Sequence, residues 1–264
     1  MLQLQMYEEV CTLISRSKLN IETGAKTIMN SQTNSILTTL YSKANPKNVE
    51  GMARYGIKST GNVLGVSAKP LFALAQQIGT NHELALELWQ TGVYEARLLA
   101  AFIADPKQMN KSTMNLWVKD FDNWAICDGV CMHCFRDTPY AHGLALKWVN
   151  QKQEFVRRAG FTMIATLCVS DKKADDKEFL KYLPLVKKYA TDERTYVKKA
   201  VNWALRQIGK RSLKLNPHAI KTAEEIHRIN SSAAKWIASD ALRELRSPAV
   251  QKRLKKWTER SKKK

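Results

Sequence analysis

The stretch DFDNWAICDGVCMHCF, residues 120–135, sets a carboxylate, Asp128, four residues after Trp124 among apolar residues and cysteines. Burying an unpaired carboxylate costs several kcal/mol, so a partner is required. At 3.6 residues per turn, Ile126, Cys127, Val130, Cys131 and Cys134 fall on one arc. Trp124 and Asp128 lie side by side at its edge, bordering a face made of Ala125, Gly129 and Met132. On spacing alone, Trp124 fills core and Asp128 pairs with an arginine of a neighbouring helix. Cys127, Cys131, His133 and Cys134 invite a metal reading, but zinc sites use C-x2-C knuckles. Here C-x3-C within a helix puts the cysteines on the apolar arc and turns His133 away, so they read as packing. Arg157 and Arg158, in EFVRRAGFTMIATL, point in different directions; one is placed to meet Asp128 and the other to reach a phosphate. Trp203, in VKKAVNWALRQIGK, carries Lys199 and Arg206 on its own face, an aromatic flanked by cations as in nucleic-acid contacts, or equally a core tryptophan.

The elements that must position these residues are helices. Apolar residues recur at three and four spacings nearly throughout, and no segment alternates over the length of a strand. Short polar breaks fall at 104–112, 136–141, 170–176 and 214–219. Ser112, Asp192 and Ser247 stand where N-caps are expected, the last followed by Pro248 at the first helical position. The longest Gly- and Ser-rich stretch is 51–70, GMARYGIKSTGNVLGVSAKP, and long ordered loops are often functional. Helix pairs beginning near 111, 153 and 193 recur at about 40 residues, the HEAT-type period. The expectation is an all-α, curved α-solenoid of HEAT-like repeats forming one domain over 1–264.

A chain of 264 residues with 44% apolar content can bury a substantial core without disulfide staples. Its formal charge of +19 points to a polyanion, most often nucleic acid. Basic residues crowd the second half, including Lys198, Lys199, Arg206 and Lys210. On a solenoid these would line a basic concave face and track phosphates. The tail from about 252 to 264, KRLKKWTERSKKK, continues that face or forms a solvated arm. Five cysteines, an odd number, suit reduced thiols in a cytosol. The N-terminus lacks the pattern of a signal peptide, and no window approaches the ~20 apolar residues of a membrane span. A cytoplasmic protein without a membrane partner, monomeric by default, is expected.

Four segments together resemble the AlkD-type family of bacterial DNA alkylation repair glycosylases, which are HEAT-like solenoids: MARYGI (52–57), NWAICDGV (123–130), FVRRAGF (155–161) and KKAVNWALRQIGK (198–210). The family's acid lies four residues after a tryptophan, as Asp128 follows Trp124; its arginine matches Arg158, its further tryptophan Trp203, and its M-A-R-Y tyrosine Tyr55. Asn123 stands where the family often shows a second tryptophan, leaving one aromatic wall fewer. The resemblance implies a cofactor- and metal-free hydrolase of base excision repair, bound to the bacterial nucleoid when engaged. It would excise cationic N3- or N7-alkylated purines from double-stranded DNA. Asp128, Trp124, Arg158 and Trp203 would be catalytic, and Tyr55, Arg157, Lys198, Lys199, Arg206 and Lys210 would hold DNA. An alkylpurine cation leaves without a proton, so one carboxylate suffices where most glycoside hydrolysis needs two. The rivals are a non-catalytic DNA-binding relative and a protein-interaction solenoid whose charge only solubilises it.

Overall fold

The structure, a computed structural model, describes residues 30–262; the reading of the N-terminus, with Cys11, lies outside the described residues. Among these residues there are helices and no strands. Helices α1 (Ser31–Ser42) and α2 (Pro46–Arg54) are followed by a loop, 55–67. Then come α3 (Ala68–Ile78), α4 (His82–Gln90), α5 (Tyr94–Ile103), α6 (Lys111–Trp117), α7 (Trp124–His133) and α8 (Ala141–Val149). The chain continues through α9 (Glu154–Ser170), α10 (Asp176–Leu180), α11 (Leu183–Lys188) and α12 (Thr195–Arg211). It closes with α13 (Leu215–His227), α14 (Ser232–Leu245) and α15 (Pro248–Lys262).

Two rows of helices face each other. In one row α5, α7, α9, α12 and α14 each pack against the next; behind them, α4 lies on α5, α8 on α9, and α11 and α13 on α12. A helix flanked on both sides and covered behind must be apolar almost all round. Helix α9 meets that demand, with every residue from Arg158 to Cys168 buried. Gly160 lets α9 approach α8 closely, because a Cβ there would strike the Val149 backbone nitrogen. One continuous core runs from Ile36 to Leu245.

Cys127, Cys131 and Cys134 are completely buried in that core. The Cys127 thiol lies 3.8 Å from the Phe155 carbonyl and the Cys131 thiol 3.9 Å from that of Ala159, so both tie α7 to α9. Burial pushes the Cys134 thiol up to about 12 and the Cys131 thiol well above its ordinary range. His133 packs edge-on to Phe102, with centroids 4.8 Å apart.

Three local expectations change. Asn110, not Ser112, caps α6, its side chain accepting from Thr113 N at 2.9 Å. Asp192 does not cap α12, which begins at Thr195; it holds Arg157 and Arg194 instead. The stretch 214–219 is not a break but the first turn of α13, where Pro217 costs no hydrogen bond because early helical N–H groups lack partners anyway. Ser247 does cap its helix, accepting from Val250 N at 3.4 Å. The last helix runs to Lys262, with Val250 and Leu254 buried on its inner side.

Candidate functional site

Helix α7 starts where it does because the Asn123 side chain accepts from Ala125 N and Ile126 N at 3.0 and 3.1 Å. That cap explains an asparagine where a second tryptophan would otherwise stand: the residue is buried and its amide is committed to the helix end. Trp124 opens the helix, and Asp128 follows one turn later.

Asp128 meets Arg158, in the first third of α9, through two parallel bonds. Arg158 Nε donates to Oδ1 at 3.0 Å and Nη2 to Oδ2 at 2.7 Å. Thr162, one turn further along α9, donates its hydroxyl to Oδ1 at 3.0 Å. The remaining guanidinium nitrogen, Nη1, donates to the Tyr196 carbonyl at 2.7 Å, so the pair joins the starts of α7, α9 and α12. The Asp128 side chain keeps 17% of its surface and Arg158 only 7%, so the carboxylate is the partner that faces solvent. Burial works against the charge of Arg158, but its neighbours, Asp128 foremost, together raise its pKa above the ordinary arginine value.

The carboxylate opens into a cleft of about 620 Å³ that is also lined by Arg54, Tyr55, Trp124, Tyr196 and Lys199. Three cations surround one paired carboxylate, which favours an anionic ligand. The Trp124 indole N–H donates to the Tyr55 carbonyl at 2.9 Å, fixing the ring against the end of α2. Gly56, also on the wall, has φ 75° and accepts from the Tyr196 hydroxyl at 3.3 Å; a Cβ there would run into that hydroxyl. Tyr55 is 78% exposed beside it.

Two carboxylates hold the loop that carries this wall. Glu95, fully buried, accepts from the N–H groups of Leu64, Gly65 and Val66 at 2.9, 2.7 and 3.2 Å. Burial raises its pKa despite those donors. Asp122 accepts from the Ser59 and Thr60 hydroxyls at 2.8 and 2.9 Å and from Thr60 N.

The other expected residues are placed differently. Arg157 points away from the cleft: its Nε donates to the Val149 carbonyl at 3.0 Å, its Nη1 to Asp192 at 2.7 Å, and it lies 4.3 Å over the Tyr189 ring. Trp203 sits one turn beyond Lys199 on the same side of α12, half-buried against the core and outside the cleft lining. Lys198 lies 5.5 Å over the ring of Trp236 on α14. Arg206 and Lys210 both donate to Glu244, at 2.7 and 2.6 Å. Thus the fold gathers Tyr55, Trp124, Asp128, Arg158 and Lys199 at one cleft and ties Arg206 and Lys210 to α14.

Arg54, Tyr196, Glu95 and Asp122 were not singled out by sequence reasoning. Tyr196 gives its hydroxyl to Gly56 and its backbone carbonyl, which has no residue-type signal, to Arg158, and the two loop-holding acids act on groups far away in sequence. Among the described residues, no group of three or more His, Cys, Asp or Glu could hold a metal ion, and no helix is long and apolar enough to cross a membrane.

No protein of curated function matches the chain. A solved structure superposes with a TM-score of 0.66 at 24% identity, over 80% of this chain and 94% of its own. That protein is described as one of "a new family of proteins related to the HEAT-like repeat DNA glycosylases with affinity for branched DNA structures". At that identity the likeness establishes the fold, a HEAT-like array of helices. The sequence pattern of the DNA alkylation repair enzyme family matches residues 36–245, the same span as the continuous core. With the site-bearing helices α2, α7, α9 and α12 all inside that match, the chain belongs to the DNA alkylation repair enzyme family.

Proposed function

We propose that this protein is a DNA glycosylase that releases cationic N3- or N7-alkylated purines from duplex DNA at the Asp128 cleft. The observation that carries the reading is the solvent-facing edge of a carboxylate held rigid by Arg158 and Thr162, beside Trp124, in a cleft of cations. The alkylated purine already carries positive charge. Its C1′–N bond breaks with the electron pair going to the base, which leaves neutral and needs no general acid. Positive charge then builds on the sugar. Asp128, whose orientation costs nothing at the moment of reaction, stabilises that charge. The electron-rich Trp124 face adds to it. Water attacks C1′, Asp128 orients it, and its proton passes to solvent. Arg158 is a positioning residue: its bidentate bond fixes the carboxylate plane. Lys199 and Arg54 grip backbone phosphates at the rim. Trp203, one turn along α12 from Lys199 and outside the cleft lining, backs the site rather than walling it, while Lys198, Arg206 and Arg157 contribute to the field more than to direct contact. The active species is a monomer.

A second reading has its own support: Arg158 and Thr162 already fill three acceptor positions of Asp128, as expected if the carboxylate only ties helices together. In that case the protein binds DNA without cutting it, in keeping with the branched-DNA affinity described for the similar structure. Incubation with N-methylated duplex DNA separates the two. Release of 3-methyladenine or 7-methylguanine above background is expected; binding without release would establish the second reading.

A further inference from the structure

We infer that a second groove, at the opposite ends of α9 and α12 from the Asp128 cleft, binds a backbone phosphate of the same duplex; this rests on the DNA-binding reading above. The groove, about 330 Å³, is lined by Lys172, Gln207, Lys210, Arg211, Arg253 and Lys256, together with Cys168 and Val169. None of the described residues lining it is a carboxylate. Its cations divide into a floor and a rim. Arg211 is the floor: it donates to the carbonyls of Cys168 and Ala174 at 3.0 and 2.8 Å and to Asp176 at 3.3 Å, with its guanidinium 3.9 Å over Phe179. Lys210 is held by Glu244 at 2.6 Å. The rim is Arg253 and Lys256, three residues apart on α15 and therefore on one face; both are exposed. The bond from Arg253 to the Lys210 carbonyl is long at 3.4 Å.

Register along the helices links this groove to the cleft. Lys199 lines the cleft and Lys210 the groove, both on α12; Arg158 and Val169 do the same on α9. Each pair is eleven residues apart. At 3.6 residues per turn that is about three full turns, so the members of each pair face the same way, about 17 Å apart. That distance equals about five base-pair steps of 3.4 Å along the duplex axis, about half a helical turn, so on one face of the duplex the two sites meet the backbones of its two strands. A cationic concavity with no acidic lining, in register with a first cationic cleft, suits a phosphodiester. An acidic protein surface would need no such register.

The test uses the full chain and the double substitution Arg253→Glu with Lys256→Glu, both on the exposed face of α15. Affinity is measured against salt for a duplex of about 20 base pairs and for a short duplex of about 5 closed as a hairpin, which reaches the cleft alone. The expected result is a shallower salt slope for the long duplex, by about 0.9 for each phosphate no longer neutralised, with affinity at least about tenfold weaker. The short duplex should bind both proteins equally. The milder pair Arg253→Gln and Lys256→Gln should fall between, and circular dichroism should show unchanged helix content. An unchanged long-duplex slope, while Lys199→Glu still weakens binding, overturns the second groove and leaves the first reading standing. Weakening on both duplexes alike also overturns it. If the unsubstituted chain binds no duplex at all, both readings fall together.

Discussion

Asp128 was legible as a residue needing a partner, because a carboxylate one turn after a tryptophan on an apolar arc is costly when unpaired. The identity of that partner was not legible. Arg157 and Arg158 are neighbours about 100° apart on α9, and only the docking of α9 between α7, α8 and α12 decides which faces Asp128. The structure gives Arg158 to the cleft and Arg157 to Asp192. Replacing one member of a buried pair strands the other, so Arg158→Met should destabilise the fold by about 3–5 kcal/mol. Urea unfolding measures this, and a loss below about 1 kcal/mol would mean the pair contributes little. A pH effect belongs to the other arginine. Burial alone would raise the Asp192 pKa, but donors from Arg194 and Arg157 hold it below the ordinary carboxylate value. A depressed folded pKa gives stability that is present above the unfolded value and lost as pH falls through the folded one. Asp192→Asn should therefore be less stable than the parent at pH 7, with the gap closing below about pH 4. A gap constant from about pH 7 to about pH 3 would contradict this.

At the level of elements, periodicity was enough to predict helices and the recurrence near 111, 153 and 193, since α6, α9 and α12 begin at 111, 154 and 195. Caps and ends were less readable. Pro217 looked like a breaker but sits in the first turn of α13, where the missing N–H has no helical partner to lose. Asn123, by type a missing aromatic, starts α7 with its side chain and so sets the height of Trp124 and Asp128. Asn123→Ala should cost about 1 kcal/mol of stability, and Asn123→Trp more, because the position is buried. Differential scanning calorimetry would show it; a variant as stable as the parent contradicts the capping role. The loop 55–67 was recognised by length and composition, but its anchors lie far away in sequence. Glu95→Gln replaces an acceptor by an amide donor facing three N–H groups, which should cost about 1–3 kcal/mol. Limited proteolysis within 57–67 should accelerate in step.

For the whole molecule, the charge of +19 and the family match agree on DNA. Net charge could not show where the cations point. Arg206 and Lys210, which looked available along α12, are paired to Glu244, while Arg54, quoted in the sequence only as part of the MARYGI segment, lines the cleft. The most direct test of the central claim is single-turnover base release from N-methylated duplex DNA by the parent chain and by Asp128→Asn, with duplex affinity measured in parallel. The account predicts release of 3-methyladenine or 7-methylguanine by the parent and a rate at least about a hundredfold lower for Asp128→Asn. Duplex affinity should stay within about threefold of the parent, a shift worth less than about 0.7 kcal/mol. Equal rates for the two proteins, or tight binding with no release by the parent, would contradict it.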